Sequence, residues 1–394
     1  MREQERTYGK GLVTGIILGI AVPLLILFTA VFFNIGNIGN LVQTVKILNH
    51  YSLESLSFSE KTQGAIAGMV QALDDPYSYY LTADDYSDLL EEVNGTYDGI
   101  GIYLTTEDGA AYTTVMAPIK NSPAFEAGIK AGDQIVSING ETMRGVNADT
   151  IATLIKTGDE AHFTIEMLRD GETLTFEVER AAIDIPSVDG RFLEGEDGIA
   201  YISISTFAEN TPAELSNTIS SLAEKGTING IILDLRNNPG GSVSAVVQIA
   251  DMFLADNEHI LWVESKDGED VYDAQNTNPY AYPLVMLTNE NSASASEILA
   301  GAFQDNQRAT LVGNTTYGKG IIQTVYSLGD GAAIKVTTAE YLSPDKNKIH
   351  EIGVTPDVEI DLGSSDISLI YSLDPTKDVQ LKTAIDTMNK KLAQ

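Results

Sequence analysis

A stretch rich in serine and alanine, at residues 289–300, has residue types that could carry a nucleophile. It follows an apolar run at 282–288, which predicts a buried strand, and it precedes helical composition at 297–303. A serine at such a strand-to-helix turn would lie where the N–H groups of the helix N-terminus favour developing negative charge. The same serines could also do no more than cap the helix.

Two further segments contain glycines at the ends of predicted strands. Residues 234–242, with the sequence D-L-R-N-N-P-G-G-S, could present backbone N–H groups to an oxyanion during acyl transfer, or could form an ordinary turn before a helix. Residues 313–320, G-N-T-T-Y-G-K-G, nearly match the phosphate-binding loop G-x-x-x-x-G-K-[ST]. Gly320 has no hydroxyl for a metal ion, and a strand rather than a helix follows. We therefore exclude a nucleotide site.

Lys319, which lies between two glycines, is a candidate general base. Burial can lower the pKa of a lysine toward neutrality, because desolvation disfavours the ammonium form. Ser-Lys pairs use this chemistry on several folds. The alternative is an exposed loop lysine, as most lysines are.

Metal and cofactor chemistry have little support in the sequence. None of the four histidines has a second histidine or a carboxylate at metal-ligand spacing, so we predict no metal and no cofactor. A Ser-His-Asp triad could assemble across the chain, but nothing local indicates one. The histidines are His50, His162, His259 and His350.

The composition is that of an acidic globular protein. The chain has 394 residues, 56 Asp and Glu against 24 Lys and Arg, and a net charge of −32. That charge repels phosphates, so we expect no nucleic-acid partner. Cysteine is absent, which excludes disulfides, thiolate metal sites, a cysteine nucleophile and a lipoprotein anchor.

The N-terminal quarter predicts a membrane anchor followed by helices. Residues 11–33 form an uncharged apolar run of 23 residues, enough to span a bilayer as a helix. Basic residues within 1–10 place the N-terminus in the cytoplasm and the acidic body outside. A cleaved signal peptide is the alternative, but the run is long and lacks a clear cleavage site. Residues 34–95 predict helices that could pack, tether or dimerise.

Residues 96–180 change to short strands separated by glycines, and they resemble a PDZ domain. The sequence A-G-I-K-A-G-D-Q-I-V-S-I-N-G at 127–140 carries that resemblance. PDZ domains bind the C-terminal end of a partner chain, which adds a strand to an exposed sheet edge. The resemblance implies that the loop at Gly99, Ile100, Gly101 and Ile102 binds the terminal carboxylate.

Residues 181–362 alternate apolar strands with helical segments, which predicts an α/β core. We predict strands at 199–203, 230–234, 284–288, 310–312, 321–327 and 332–337, with helices at 212–225, 243–254 and 296–305. Residues 363–394 predict a C-terminal helical tail, which is a surface or packing helix.

Several separated motifs together resemble the C-terminal processing (tail-specific) serine proteases. They are R-N-N-P-G-G, N-x-x-S-A-S-A-S-E, G-K-G and E-I-G-V-T-P-D-V, and the order of membrane anchor, helical segment, PDZ domain and protease core fits the same family. The resemblance implies that Ser294 is the nucleophile, Lys319 the general base and Gln323 the residue that orients the lysine. It implies that Gly240 and Ala295 donate the N–H groups of the oxyanion hole.

The same resemblance implies a crotonase-like α/β protease core, and Asp305 matches an acidic position that could support its site. Gln323 would contact Lys319 only if the chain bends near Gly320, because four residues of extended strand span about 13 Å. We therefore predict a membrane-anchored serine endopeptidase of a bacterium, with its catalytic part outside the cytoplasm. Its partners would be protein substrates with apolar C-termini, and a homodimer stays open. A catalytically silent PDZ scaffold is the alternative, and a crotonase-like acyl-CoA enzyme is a more distant one.

Overall fold

A computed structural model describes residues 35–394, apart from 108, 159 and 364–367, together with 19–20, 22–25 and 28. Most of the predicted membrane helix at 11–33 lies outside the described residues. Among those that are described, no helix is both long and apolar enough to cross a bilayer. The chain divides into two compact units, residues 1–80 and 81–394.

The first unit contains helices α1 (Ile35–Tyr51) and α2 (Phe58–Gln71). Ser57 begins α2 with a capping box: its hydroxyl accepts from Glu60 N, and the Glu60 carboxylate accepts from Ser57 N. A short strand, β1 (Tyr79–Leu81), follows. The helical prediction for this region is confirmed.

The second unit opens with helix α3 (Ala83–Asn94), whose N-cap is Thr82 as predicted. Strand β2 (Thr96–Gly99) then pairs antiparallel with β9 (Ala181–Asp184), so the strands that enter and leave the PDZ segment are neighbours. Between them lies an antiparallel sheet of order β3-β4-β5-β7-β8, with β6 beside β5. Its elements are β3 (Ile102–Thr105), β4 (Thr114–Pro118), α4 (Pro123–Glu126), β5 (Gln134–Ile138), β6 (Glu141–Thr142), α5 (Ala148–Thr157), β7 (His162–Arg169) and β8 (Glu172–Glu179).

The α/β core is built on a six-stranded sheet of order β10-β11-β12-β15-β16-β19. Strand β10 runs antiparallel to β11, and the others are parallel. Every residue of β12 and β15 is buried, which explains their continuous apolar sequences. The strands are β10 (Val188–Phe192), β11 (Ile199–Ile204), β12 (Gly230–Asp234), β15 (Leu284–Thr288), β16 (Thr310–Gly313) and β19 (Val358–Glu359).

Helices cover both faces of this sheet. On one face pack α6 (Thr211–Lys225), α7 (Val243–Phe253) and α8 (Ala295–Asp305). On the other face pack Leu381, Ala384, Ile385 and Met388 of α10 (Val379–Leu392), which follows the short α9 (Ser368–Ser372). The predicted tail is therefore a packing helix of the core.

A second antiparallel sheet carries β17 and β18 beside the core. It contains β13 (His259–Ser265), β14 (Gly268–Asp273), β17 (Ile321–Ser327) and β18 (Ala333–Leu342). The sequence did not predict β10, β13 or β14. All six residues of β14 are exposed, so it has no apolar alternation by which a strand is recognised.

Candidate active site

Ser294 lies in the turn between β15 and α8, immediately before the first residue of that helix. Its backbone has φ 56° and ψ −115°, a left-handed conformation that is costly for a residue with a side chain, about 1–3 kcal/mol. Hydrogen bonds of the preceding residues support the turn: Asn289 N donates to Ser292 Oγ at 3.0 Å within it, and Ser292 Oγ donates at 2.8 Å to Leu235 O, which follows β12. The turn thus holds a half-buried serine at a helix N-terminus, as predicted.

The two predicted oxyanion residues lie beside Ser294. A Cβ placed on Gly240 would be 2.7 Å from Ser294 Cβ and 2.9 Å from Ala295 N, and Gly240 has φ 105°. Ala295 is the first residue of α8, where a backbone N–H has no partner within the helix. The Gly240 N–H, in contrast, donates to Asn238 Oδ1 at 2.8 Å. Of these two N–H groups, that of Ala295 and not that of Gly240 is available to a substrate oxygen in this conformation.

Lys319 lies in the loop between β16 and β17 and is half-buried. Burial is the main reason that its pKa is lowered, the positive charge of Lys335 lowers it further, and the Glu297 carboxylate opposes both. A lowered pKa increases the fraction of neutral amine, the form that can accept a proton. The exposed-loop alternative for this lysine is therefore not supported.

Glu297 connects the two predicted catalytic residues, and sequence reasoning did not assign it a role. Its carboxylate is fully buried and accepts from the backbone N–H of Ser294 at 2.9 Å and of Lys319 at 2.8 Å. It also accepts from Gly318 N and Thr316 Oγ1, both at 2.6 Å. The serine turn and the lysine loop are therefore bound to one side chain. Its position three residues after Ser294, in S-A-S-E, was the available signal.

Tyr341 makes a second connection, again missed from the sequence. Its hydroxyl oxygen lies 2.9 Å from the carbonyl oxygen of Ser294 and 2.6 Å from that of Lys319. Burial, aided by the charge of Glu297, raises the pKa of Tyr341 well above its usual value, so the hydroxyl stays protonated and can donate. Nothing in the sequence near Tyr341 indicated this contact.

The E-I-G-V-T-P-D-V segment supports the lysine loop from the other side. Glu351 N donates to Gly318 O at 2.8 Å, and Val354 N donates to Thr316 Oγ1 at 2.7 Å. A Cβ on Gly320 would lie 2.3 Å from His350 N, so only glycine permits this close approach.

Gln323 and Asp305 differ in how the structure places them. Gln323 lies on β17 just after a register shift between Ile322 and Gln323, and its Nε2 is 3.5 Å from Ile321 O, a long and weak contact. Asp305 is the last residue of α8, about 16 Å along the helix from Ser294, and its carboxylate accepts from Asp345 N. The fold does not bring Asp305 to the site; this side chain holds the turn after β18.

A buried ion cluster lies below the Gly240 turn. Arg236 donates to Asp234 at 2.6 Å and to Asp378 at 2.8 Å, and Tyr201 donates to Asp234 at 2.7 Å. Burial would lower the pKa of Arg236, but the two carboxylates outweigh it and raise the pKa. The guanidinium is therefore charged and fixed. The R-N-N-P-G-G motif thus supplies the buried Arg236, which fixes the start of the turn, as well as the glycines of the turn itself.

The predicted carboxylate loop lies between β2 and β3 of the PDZ segment. Gly101 has φ 79°, and its carbonyl accepts from Ile119 N at 2.9 Å and Ser122 Oγ at 3.0 Å. Ile100 is buried in the core of this segment. Strand β3 is at the edge of its sheet, the arrangement that strand addition by a bound peptide requires.

A serine in a strained strand-to-helix turn and a half-buried lysine, joined through Glu297, are residue types that serine hydrolases use. Comparisons with known proteins identify the family. Family models match Peptidase family S41 over residues 198–360, a PDZ domain over 99–179, and the activating protease CtpB N-terminal domain over 34–85. The carboxy-terminal processing protease CtpA of Bacillus subtilis is 35% identical over 333 residues, covering 84% of this chain and 70% of the relative.

Two further proteins agree with that result. The carboxyl-terminal-processing protease of Synechocystis sp. is 35% identical over 342 residues, covering 86% of this chain and 79% of its own. A solved structure assigned to the S41 proteases, from Bacteroides fragilis, has a TM-score of 0.51 at 14% identity, covering 86% and 92%, which shows the fold alone. The chain belongs to peptidase family S41, the carboxy-terminal processing proteases, and is a serine peptidase with a PDZ domain.

Proposed function

We propose that Ser294 is the nucleophile and Lys319 the general base of a carboxy-terminal processing endopeptidase. The observation that carries this proposal is the Glu297 carboxylate, which accepts from the backbone N–H groups of both residues. A shared buried acceptor supports a fixed geometry between nucleophile and base, and such positioning supplies much of the rate in acyl transfer.

The reaction follows from the two side chains. Neutral Lys319 takes the proton of Ser294 Oγ as that oxygen attacks the scissile carbonyl carbon. The tetrahedral intermediate collapses, the C–N bond breaks, and the lysine ammonium returns its proton to the leaving amine. Water, deprotonated by Lys319, then hydrolyses the acyl ester and regenerates the serine. No metal or cofactor enters these steps.

The Ala295 N–H would stabilise the oxyanion of both intermediates, since it lies at the helix N-terminus with no helical partner. Gly240 would contribute a second donor only after its N–H leaves Asn238 Oδ1. Gln323 would orient Lys319 from β17. Binding of the substrate carbonyl could supply the acceptor that replaces Asn238.

Protein substrates would be recognised by their C-termini. The edge strand β3 and the loop at Gly99–Ile102 suit strand addition with capture of a carboxylate. The apolar side chains of Ile102 and Leu104, packed on the PDZ core, favour an apolar tail. The two relatives described above are carboxy-terminal processing proteases, which supports this proposal.

The proposal also includes a membrane location, a crotonase-like core and a possible homodimer. The run at 11–33 would anchor the chain in a bacterial cytoplasmic membrane, with residues 1–10 inside and the catalytic part outside. The parallel sheet with helices on both faces is compatible with a crotonase-like core. Residues 34–95 could support a homodimer.

The test uses the full chain in detergent, with an unstructured protein ending in apolar residues as substrate. Wild type should cleave it, whereas Ser294→Ala and Lys319→Ala should lose activity by about 10³-fold or more. Activity that survives in Lys319→Ala would show that Lys319 is not the general base. A wild type that binds the tail without cleaving it would favour the PDZ scaffold.

A further inference from the structure

The N-terminus of α10 contacts two separate parts of the candidate active site. Asp378, the N-cap of α10, accepts from Leu381 N at 2.9 Å through Oδ1 and from Arg236 Nη1 at 2.8 Å through Oδ2. Gln380 accepts from the same guanidinium at 3.2 Å and donates to Asn314 Oδ1 and to Ile360 O. Asp378, Gln380 and Arg236 are all buried.

The first contact leads to the oxyanion turn. Arg236 lies at the start of the turn that leads to Gly240. Two residues later, Asn238 O accepts from Ala293 N and Ser296 Oγ, both at 3.0 Å. The turn is therefore fixed at Arg236 on one side and against the residues flanking Ser294 on the other. A displaced guanidinium would shift Gly240 relative to Ser294.

The second contact leads to the lysine loop. Asn314 is the first residue after β16; its N–H donates to Thr288 O at 3.1 Å, and its carbonyl accepts from Thr288 Oγ1 at 3.1 Å. Lys319 follows five residues later. The amide of Gln380 thus holds the start of the loop that carries the proposed base.

We propose that Asp378 and Gln380 are positioning residues for the Ser294–Lys319 reaction, and that α10 holds the oxyanion turn and the lysine loop in one fixed arrangement. The apolar face of α10 would be sufficient to attach this helix to the sheet. A buried ion pair is a costly addition to that packing, because both charges lose their hydration. Two of the polar partners of Asp378 and Gln380, Arg236 and Asn314, adjoin the proposed catalytic loops, where fixed geometry matters. This inference rests on the proposed function.

Two substitutions distinguish a positioning role of Asp378 and Gln380 from a role in helix capping or in packing. Asp378→Asn keeps a good N-cap but removes the charge that pairs with Arg236. Gln380→Leu keeps the ion pair and a similar side-chain volume but loses the bonds to Asn314, Ile360 and Arg236. Asp386→Asn, on the exposed side of the same helix and paired with Lys382, is the matched control.

The experiment measures kcat and KM for the full-chain variants on the unstructured substrate. Folded sites are counted by labelling to completion with a fluorophosphonate. Each positioning variant should lower kcat per labelled site by about 10- to 100-fold, because small misplacements of reacting groups are costly, with KM within about 2-fold. Asp386→Asn should match wild type. A merely structural role would instead lower the number of labelled sites at unchanged kcat per site.

Unchanged kcat per site in Asp378→Asn and Gln380→Leu would overturn the inference. If Asp378→Asn fails to fold, Gln380→Leu decides alone, since its ion pair is intact. Failure of the proposed function is distinguishable, because it would appear as an inactive wild type or an active Ser294→Ala.

Discussion

At the scale of single residues, Glu297 and Tyr341 determine how Ser294 and Lys319 are held together. Both lie in the interior, and both contact the backbone of the two proposed catalytic residues rather than their side chains. The Glu297 carboxylate accepts from the two backbone N–H groups, and the Tyr341 hydroxyl lies within hydrogen-bond distance of the two backbone carbonyls. Because the two catalytic residues come from different loops, such shared partners replace the fixed spacing that a single helix would give.

Lys335 is expected to contribute to the pH dependence of the reaction, after the larger effect of burial. Lys335 lies opposite Val325 in the β17–β18 pair, and its charge lowers the pKa of Lys319. Glu297 and Tyr341 also lie next to Lys319 and contact its backbone N–H and carbonyl. Removing a like charge favours the ammonium form and raises the pKa of Lys319. In Lys335→Met, the acidic limb of the kcat/KM profile should therefore move to higher pH, with activity at pH 7 reduced about 3- to 10-fold and recovered in alkali.

Lys335→Arg is the control for that prediction, since it keeps the charge and should keep the wild-type profile. A Lys335→Met profile that falls equally at every pH would mean that Lys335 acts on folding or on substrate binding and not on the base. Profiles are measured from pH 6 to pH 10 with folding checked at each pH.

The proposed nucleophile and general base were visible in the sequence, whereas the residues that support them were not. Ser294 and Lys319 stand out because a serine turn and a glycine-flanked lysine are unusual. Glu297 lay within a quoted motif, but a carboxylate three residues into a helix is also an ordinary cap. Asp378 lies 142 residues from Arg236 in sequence, and no local pattern connects them.

At the scale of elements, the site is made where two neighbouring parallel strands end. β12 and β15 pair in parallel, so the turns that follow them meet at one edge of the sheet. The turn after β12 brings Gly240 within contact of the turn after β15, which carries Ser294. This contact leaves no room for a side chain.

Gly240→Ala should therefore strongly reduce catalysis. The added Cβ would lie 2.7 Å from Ala293 O and 2.9 Å from Ala295 N, at φ 105°. Relief of this overlap must move the turn that carries Ser294, so we expect kcat to fall by about 10²- to 10³-fold, as for loss of an oxyanion donor. The measurement is kcat per fluorophosphonate-labelled site.

Gly329→Ala is the control for the oxyanion turn, because a Cβ there meets nothing within 4 Å. Wild-type kcat in Gly240→Ala would show that the turn is not part of the catalytic machinery.

The elements of the core were predictable to the extent that they are buried on both faces. Runs such as G-I-I-L-D and L-V-M-L-T have no period, but their length and their flanking turns indicate interior strands. Strand β10 exposes alternate residues, and its glycine at 190 obscures the pattern. Strand β14 is fully exposed and is held by pairing with β13, which only the tertiary fold reveals.

At the scale of the whole molecule, the proposed recognition and the proposed chemistry belong to separate apolar cores. The PDZ segment has its own apolar cluster and is bracketed by the β2–β9 pair, while the proposed catalytic residues belong to the loops of the α/β sheet. A change in the carboxylate loop should therefore affect substrate binding without changing the steps that follow it.

Gly101→Ala tests this separation. Its Cβ would lie 2.2 Å from Ser122 Cβ at φ 79°, which must displace the loop at 99–102, whereas Gly171→Ala imposes a similar φ of 86° with nothing within 4 Å. For a substrate with an apolar C-terminus, we expect Gly101→Ala to raise KM about 10-fold with kcat unchanged, and Gly171→Ala to behave as wild type. A fall in kcat at constant KM would mean instead that the PDZ segment acts on the catalytic geometry, and that recognition and chemistry are coupled.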